Sequence, residues 1–246
     1  EHKAIGFRGV ATNITRQKEI ELRKDDFVSM ASHELKTPLT TAKVLAQILQ
    51  KQFINSTNER AKKFVNRINE QIDNLTDLVK DLLDVTRIQQ GKILLKKENF
   101  SLYDLIKEVA ETMQTSTNRL FTIRLHKPCK VYGDKEKIRQ VLTNFITNAM
   151  KYSPENKNVI IRSIIKNSAV TIEVQDFGIG IPESEQSKIF EKFFQANHVP
   201  EERNTYPGLG LGLYISAEII KLHNGMIGVS SVQGKGSTFY FTIPIK

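Results

Sequence analysis

Between Arg16 and about Gln52, apolar residues recur at steps of three and four: Val28, Ala31, Leu35, Leu39, Ala42, Ala46, Leu49 and Phe53. That period predicts a long amphipathic helix with a bundle or coiled-coil seam. The polar stretch 55-NSTN-58 predicts a short turn between two helices, with Asn58 placed to cap the second. A second seam then runs through Phe64, Ile68, Ile72, Leu75, Leu78, Leu82 and Val85, and Gly91 falls just past its last turn, where a cap is expected. A lone antiparallel pair leaves half of each apolar stripe in water. The hairpin is therefore expected to pair with a second copy as a four-helix bundle, making a homodimer.

From Lys96 to Phe100 the texture changes from long heptads to helical stretches alternating with short β-rich runs. Helices are expected at about 101–117, 134–152 and 210–223, with strands near 120–126, 158–166, 169–175, 226–232 and 237–244. Runs of strands with helices among them predict an α+β sandwich, helices on one face of a mixed sheet. The expected fold class is thus multi-domain: an all-α antiparallel hairpin forming a dimeric four-helix bundle, followed by an α+β sandwich. A linker and hairpin would occupy 16–95 and the sandwich 96–246.

Composition narrows this little. A chain of 246 residues, 39% hydrophobic and 26% charged, can bury one large or two modest cores and is not compositionally disordered. The excess of 36 basic over 27 acidic residues gives +9, which suits nucleic acid, anionic lipid, nucleotide or an acidic protein. The lysines are spread along the chain without an aromatic-interleaved patch, so a solvated surface is expected and no nucleic-acid partner. The single Cys129 excludes an intramolecular disulfide framework and suits a reducing, cytoplasmic setting. No apolar run of about 20 residues marks a membrane span, so no membrane contact is expected of this stretch. The opening 5-IGFRGVATNIT-15 carries no initiator Met and reads as part of a longer protein whose own anchoring stays open.

Candidate chemistry begins in 29-SMASHELKTPLT-40. His33 lies two residues from Leu35, about 200° around a helix, so an inward seam leaves the imidazole facing water. Glu34 adjoins it, and Thr37 stands one turn further on at i+4. A carboxylate beside an imidazole can orient it, take its proton and raise the nucleophilicity of the other nitrogen. Taken alone, a His-Glu pair on a polar helix face is ordinarily just a solvated face. The zinc motif H-E-x-x-H is not met, because Thr37 holds the place of its second histidine. Pro38 removes one helical hydrogen bond and crowds the carbonyl of Glu34, so the helix should bend at this turn.

The box SHELKTPLT resembles the phospho-acceptor box of sensor histidine kinases, with the H-E-L-[KR]-T-P core intact. The resemblance implies His33 as the phosphorylated nucleophile, Glu34 as its general base and Thr37 as the group that aids dephosphorylation of the partner. It also implies that the proline-bent helix moves during signalling.

Further on, Asn144 and Asn148 in 144-NFITNAMKYS-153 share a helix face at i and i+4, with Lys151 and Tyr152 just beyond. A hard cation such as Mg²⁺ takes oxygen ligands and keeps several waters, so one asparagine plus substrate phosphates is a reasonable set, although paired asparagines are equally ordinary surface residues. In 176-DFGIGIP-182, Asp176 ends a strand and can accept from an adenine amino group, while Gly178 and Gly180 permit close backbone approach or a simple turn. In 208-GLGLGLYIS-216 a glycine-rich entry to a helix, with Gly208, Gly210 and Gly212, can aim N–H groups at phosphate. Its spacing matches neither a P-loop nor a dinucleotide fingerprint. A glycine turn at 234-GKG-236 precedes the last strand. The long polar run 183–207, anchored by 190-FEKFF-194, joins two glycine-rich elements as a lid would.

In order, these stretches resemble the N, G1, F, G2 and G3 boxes of the ATP-binding domain shared by histidine kinases and the wider gyrase, chaperone and mismatch-repair ATPase superfamily. The resemblance covers about residues 16–246 and implies ATP and Mg²⁺ as cofactors. By that likeness Asn148 ligates Mg²⁺ with Asn144 nearby, Lys151 meets phosphate, Tyr152 lies against the adenine and Asp176 binds its amino group. Gly178, Gly180, Gly208, Gly210 and Gly212 shape the pocket and lid hinge. Phe177 stands where the family commonly has Asn, and Leu209 where Thr or Ser is frequent. Residues 1–15 look like the last strand of a PAS sensor domain. The implied activity is autophosphorylation of His33 from MgATP, then transfer to an aspartate of a response-regulator receiver domain, with phosphatase activity toward it. Two other readings stay open: an interaction module whose output is dephosphorylation, and a gyrase-like ATPase, which would have no use for the SHELKTPLT box.

Overall fold

The computed structural model describes residues 39–51, 59–115, 117, 119–153, 158–196 and 209–245. The chain divides into two compact units that meet between Thr86 and Arg87.

The first unit holds helix α1 (39–51) and all but the last turn of helix α2 (Glu59–Gln89), which run antiparallel. Lys43 pairs with Asp73, and Gln50 donates to Asn66 (2.8 Å) and accepts from Asn69 (3.1 Å), so partner numbers fall on one helix as they rise on the other. Leu39, Ala46 and Val85 of the expected seams are buried. Leu49, Phe64, Ile68 and Leu75 of the same seams are exposed, as the sequence pattern expects of a hairpin taken alone. Helix α2 ends as its sequence anticipates. Gly91 takes φ +63°, its N–H donates to Ile88 O and the Lys92 N–H donates to Arg87 O, the two bonds of a Schellman cap. The seam residues Val28, Ala31, Leu35 and Phe53, and Asn58 of the turn, lie outside the described residues.

The second unit contains, in order, β1 (Glu98–Ser101), α3 (Leu102–Thr115), β2 (Phe121–Arg124), β3 (Lys130–Gly133), α4 (Lys135–Tyr152), β4 (Val159–Lys166), β5 (Ala169–Gln175), α5 (Glu183–Gln186), α6 (Gly212–Leu222), β6 (Met226–Val232) and β7 (Gly236–Pro244). Its main sheet has the order β2-β4-β5-β7-β6, parallel at β2–β4 and antiparallel elsewhere. Alternation sorts its faces. Val170, Ile172 and Val174 of β5 and Phe239, Phe241 and Ile243 of β7 are buried, while Thr171 and Thr242 on the opposite face share a 2.8 Å hydrogen bond. Phe145 of α4 meets the rings of Phe239 and Phe241 at 5.5 and 6.0 Å, so the helical layer covers one side of the sheet. This is the α+β sandwich that the pattern predicts.

Three details differ from expectation. The strand expected at 120–126 is confined to Phe121–Arg124, and the expected helix 210–223 starts at Gly212. Strands β1 and β3 pair as a separate antiparallel ribbon that the pattern did not announce. Each has four residues, too few for alternation to stand out, and β3 buries only Val131 and Gly133.

Candidate functional site

The site grows from the C-terminal half of α4. Asp134 caps this helix, its Oδ1 accepting from the Lys137 N–H at 3.1 Å. Ile138, Val141, Leu142, Phe145, Ile146 and Ala149 form its buried stripe. Asn144, Asn148 and Lys151 fall on the adjoining, half-buried stripe. The Asn144 Nδ2 donates to Ser216 Oγ of α6 at 2.9 Å, and its Oδ1 accepts from Asn148 Nδ2 at 3.5 Å. A Cβ on Gly212 would lie 2.7 Å from the same Oδ1, so the first turn of α6 approaches α4 only because that position is glycine.

The aspartate turn locks onto the end of α4. Ile179 N–H donates to the Tyr152 carbonyl at 3.2 Å. A Cβ on Gly178 would lie 2.1 Å from that carbonyl oxygen, a contact no side chain survives. Asp176 is 4% exposed. Its Oδ1 accepts from the N–H groups of Gly178 (2.8 Å) and Ser237 (3.3 Å), while Oδ2 accepts from none of the described residues. Burial pushes its carboxyl above the usual range; the two N–H donors and the Arg119 cation pull the other way. An ionised carboxylate with one oxygen held and one open suits recognition of an amino group.

Beside these lie the stems of the expected lid. Phe193 N–H donates to Gly210 O at 3.1 Å, and Lys192 Nζ sits 5.1 Å from the ring centre of Tyr214. Gly180 and Gly210 take left-handed φ of +66° and +68°. Lys151 Nζ lies 5.2 Å from the Tyr152 ring centre. Phe177 and Leu209, the two departures from the family pattern, are 38% and 40% exposed.

The structure therefore brings Asn144, Asn148 and Gly212 together, and likewise Tyr152, Asp176 and Gly178. Gly180 lies against Val232, and Gly210 against Phe194. His33, Glu34, Thr37, Pro38 and Gly208 lie outside the described residues. Four further residues were not singled out by sequence. Ser216 links α6 to Asn144. Ser237 supplies the second N–H to Asp176. Buried Arg119 donates to the carbonyls of Ala149 (3.5 Å) and Ser153 (3.1 Å), binding the open end of α4. Buried His223 accepts from the Asp134 N–H at 2.9 Å and its Nδ1 meets Ile219 O at 2.8 Å. Only Ser216 had a local signal, at i+4 from Gly212.

The donor set suits a magnesium ion carried by a nucleotide. Asn148 Oδ1 accepts from none of the described residues, and a single neutral oxygen is what a cation held chiefly by phosphates and water requires of its protein. Among the described residues no group of three His, Cys, Asp or Glu side chains forms a metal cage.

A sandwich with an asparagine-bearing helix, a buried aspartate turn and a glycine-entered helix is the architecture of the histidine kinase-, DNA gyrase B- and HSP90-like ATPases, whose family description matches residues 133–246. Residues 23–91 match the His Kinase A (phospho-acceptor) domain. The sensor protein kinase WalK of Staphylococcus aureus is 32% identical over 243 residues, 97% of this chain and 40% of that protein. The circadian input-output histidine kinase CikA of Synechococcus elongatus is 33% identical over 227 residues, 90% of this chain and 30% of that protein. The chain thus spans well under half the length of these relatives. Among solved structures, the catalytic domain of histidine kinase ThkA is 31% identical with a TM-score of 0.53, covering 61% of this chain and 96% of that one. Full-length ShkA in complex with AMPPNP superposes with a TM-score of 0.72 at 26% identity, over 89% of this chain and 46% of that one. ThkA in complex with the response regulator TrrA gives 0.61 at 26%, over 94% and 64%. The chain belongs to the sensor histidine kinases.

Proposed function

We propose that this chain is the kinase core of a two-component sensor: it binds MgATP in the sandwich and moves the γ-phosphoryl group to His33. The observation that carries the nucleotide site is Asp176, buried, with one carboxylate oxygen held by two N–H groups and the other open. The open oxygen would accept from the adenine amino group, and Tyr152, whose carbonyl accepts from the Ile179 N–H, would lie against the ring. Lys151 would meet phosphate, and Asn148 would hold Mg²⁺ by Oδ1. Bound there, the ion would neutralise phosphate charge as the γ-phosphoryl group leaves. Gly208, Gly210 and Gly212 would let the lid hinge and the α6 N-terminus approach phosphate oxygens.

In the acceptor hairpin His33 is the nucleophile and Glu34 orients it and takes its proton. Thr37 serves dephosphorylation of the partner, positioning a water that takes the phosphoryl group from the partner's aspartate as inorganic phosphate. The bent helix at Pro38 is the moving part. The hairpin acts as a homodimer through its open apolar stripe. The phosphoryl group passes to an aspartate of a response-regulator receiver domain; the complex of ThkA with TrrA supports that partner. Residues 1–15 are taken as the end of a PAS domain, 16–95 as linker and acceptor hairpin, and 96–246 as the catalytic domain.

Incubation with ATP labelled at the γ-phosphate and Mg²⁺ tests this. Acid-labile, alkali-stable label is expected on the wild type and none on His33→Gln, with ATP binding retained. Persistent label on that variant would overturn the acceptor assignment.

A further inference from the structure

We propose that Ser216 is a positioning residue for the magnesium ligand: through Asn144 it decides which end of the Asn148 amide faces the cation. The inference rests on the nucleotide site proposed above. It follows from the parity of donors and acceptors along one chain of contacts. A serine hydroxyl has one proton to give. Ser216 gives it to the Gly212 carbonyl one turn back, at 2.8 Å. Toward Asn144 the same oxygen can then only accept, so Asn144 must present its Nδ2, as it does at 2.9 Å. That turns Asn144 Oδ1 to the opposite side, against Gly212 and within 3.5 Å of Asn148 Nδ2. Asn148 in turn has its NH₂ end engaged, and the group it can offer outward is the carbonyl oxygen.

Each link restricts the next. An amide free to rotate must first be turned and held to aim its oxygen at the cation, since only the oxygen binds. Ser216 is 1% exposed, which keeps water from replacing its oxygen as the acceptor for Asn144. Asn144 is spent on this relay, since both ends of its amide are engaged inside the protein. The relay also joins the helix entered from the lid to the helix carrying the metal ligand, by side chains alone.

The test compares AMPPNP affinity in EDTA and in Mg²⁺, by calorimetry on the whole chain, for wild type, Ser216→Ala, Ser216→Thr and Asn144→Ala. Wild type should bind more tightly with Mg²⁺. Ser216→Ala should keep its metal-free affinity within about twofold and lose roughly tenfold of the magnesium-dependent gain, the lower end of what outer-sphere partners of metal ligands contribute. Ser216→Thr, which keeps the oxygen, should restore it. Asn144→Ala should lose the magnesium-dependent gain as Ser216→Ala does, and it carries the test if Ser216→Ala fails to fold. Equal loss with and without Mg²⁺, or an undiminished magnesium gain in the alanine variants, would overturn the relay. A wild type that binds AMPPNP no better with Mg²⁺ would instead overturn the metal assignment to Asn148 beneath it.

Discussion

The two units solve the problem of burial in opposite ways. In the sandwich, Phe145, Phe241, Leu142, Ile172 and Ile215 are all at or below 2% exposure, and buried Ser216 and His223 are paired with Asn144 and the Asp134 N–H. In the hairpin, Lys43, Gln50, Asn66, Asn69 and Asp73 meet between the two helices, while Phe64, Ile68, Leu75 and Leu45 stand 64, 47, 48 and 57% exposed. A sandwich of this kind holds its fold with its own atoms. A helical pair whose polar contacts are solvent-exposed and whose apolar stripe stands open to water is half of a core. The difference teaches where each unit's stability should be sought: within one chain for the sandwich, between two chains for the hairpin.

The largest expected effect sharpens that contrast. Phe145→Ala removes the ring that meets both Phe239 and Phe241 and should cost the sandwich about 3–5 kcal/mol, a large share of a domain's usual margin. Calorimetry should show the sandwich transition falling or vanishing. Phe64→Ala removes a ring of the same size from an exposed site and should leave a monomeric hairpin within about 0.5 kcal/mol. Comparable losses in both variants under conditions that keep the chain monomeric would break the comparison.

Next in size is the loss of association. Ile68→Asp sets a charge in the open stripe, and sedimentation should show a dimer of the parent chain becoming monomer. Met226→Asp, at a sandwich position 71% exposed, should leave the mass unchanged. A dimer that survives Ile68→Asp would mean that the stripe is not the interface.

How much of this was legible in sequence also differs between the units. Helices α3, α4 and α6 and strands β4 to β7 announce themselves because each is long enough for its period to repeat, and Gly91 ends α2 where a left-handed cap was expected. Strands β1 and β3 do not, because 98-ENFS-101 pairs with 130-KVYG-133, a partner fixed by tertiary structure. In the site, residue types were readable and their connections were not. Asp176 and Gly178 stand out as a carboxylate and a glycine at a strand end. Nothing local marks Arg119, which binds the carbonyls at the end of α4, or His223, which receives the backbone N–H of the residue that caps its start. These jobs exist only once distant segments meet.

Third comes the affinity of the site. Asp176→Asn keeps the shape but replaces a charged acceptor with a neutral amide, and a charge-assisted hydrogen bond contributes about 1.5–3 kcal/mol. ATP binding should weaken roughly tenfold to a hundredfold on the same basis, while the hairpin transition stays where it was. Unchanged affinity would remove Asp176 from the site.

The smallest effect is the most specific, because the two units should answer pH with opposite signs. Asp81 of α2 is pushed up to about 6 from 3.8, first by burial and then by Asp77 and Asp84, with Lys80 opposing. A raised carboxyl binds its proton more tightly folded than unfolded, so its contribution to the hairpin is present below 3.8 and is lost as pH rises through about 6. His223 is pushed below 6.5, first by burial and also by Lys97, with the Ile219 carbonyl and Asp134 opposing. Its neutral ring, accepting at Nε2 from the Asp134 N–H and donating from Nδ1 to Ile219 O, must give up one of those bonds when protonated. The unfolded chain binds that proton more readily, so the sandwich is fully supported above 6.5 and weakens as pH falls below it. Asp176, also raised, tilts the sandwich the other way, so the diagnostic is the difference between each variant and wild type. Between pH 5 and 7, Asp81→Asn should flatten the fall of the hairpin transition, and His223→Gln, which still offers the Asp134 N–H an oxygen, should flatten the rise of the sandwich transition. If both variants shift the same transition, or shift either with the reverse sign, then the two units do not hold their buried charges independently, and the separation drawn between them fails at its most sensitive point.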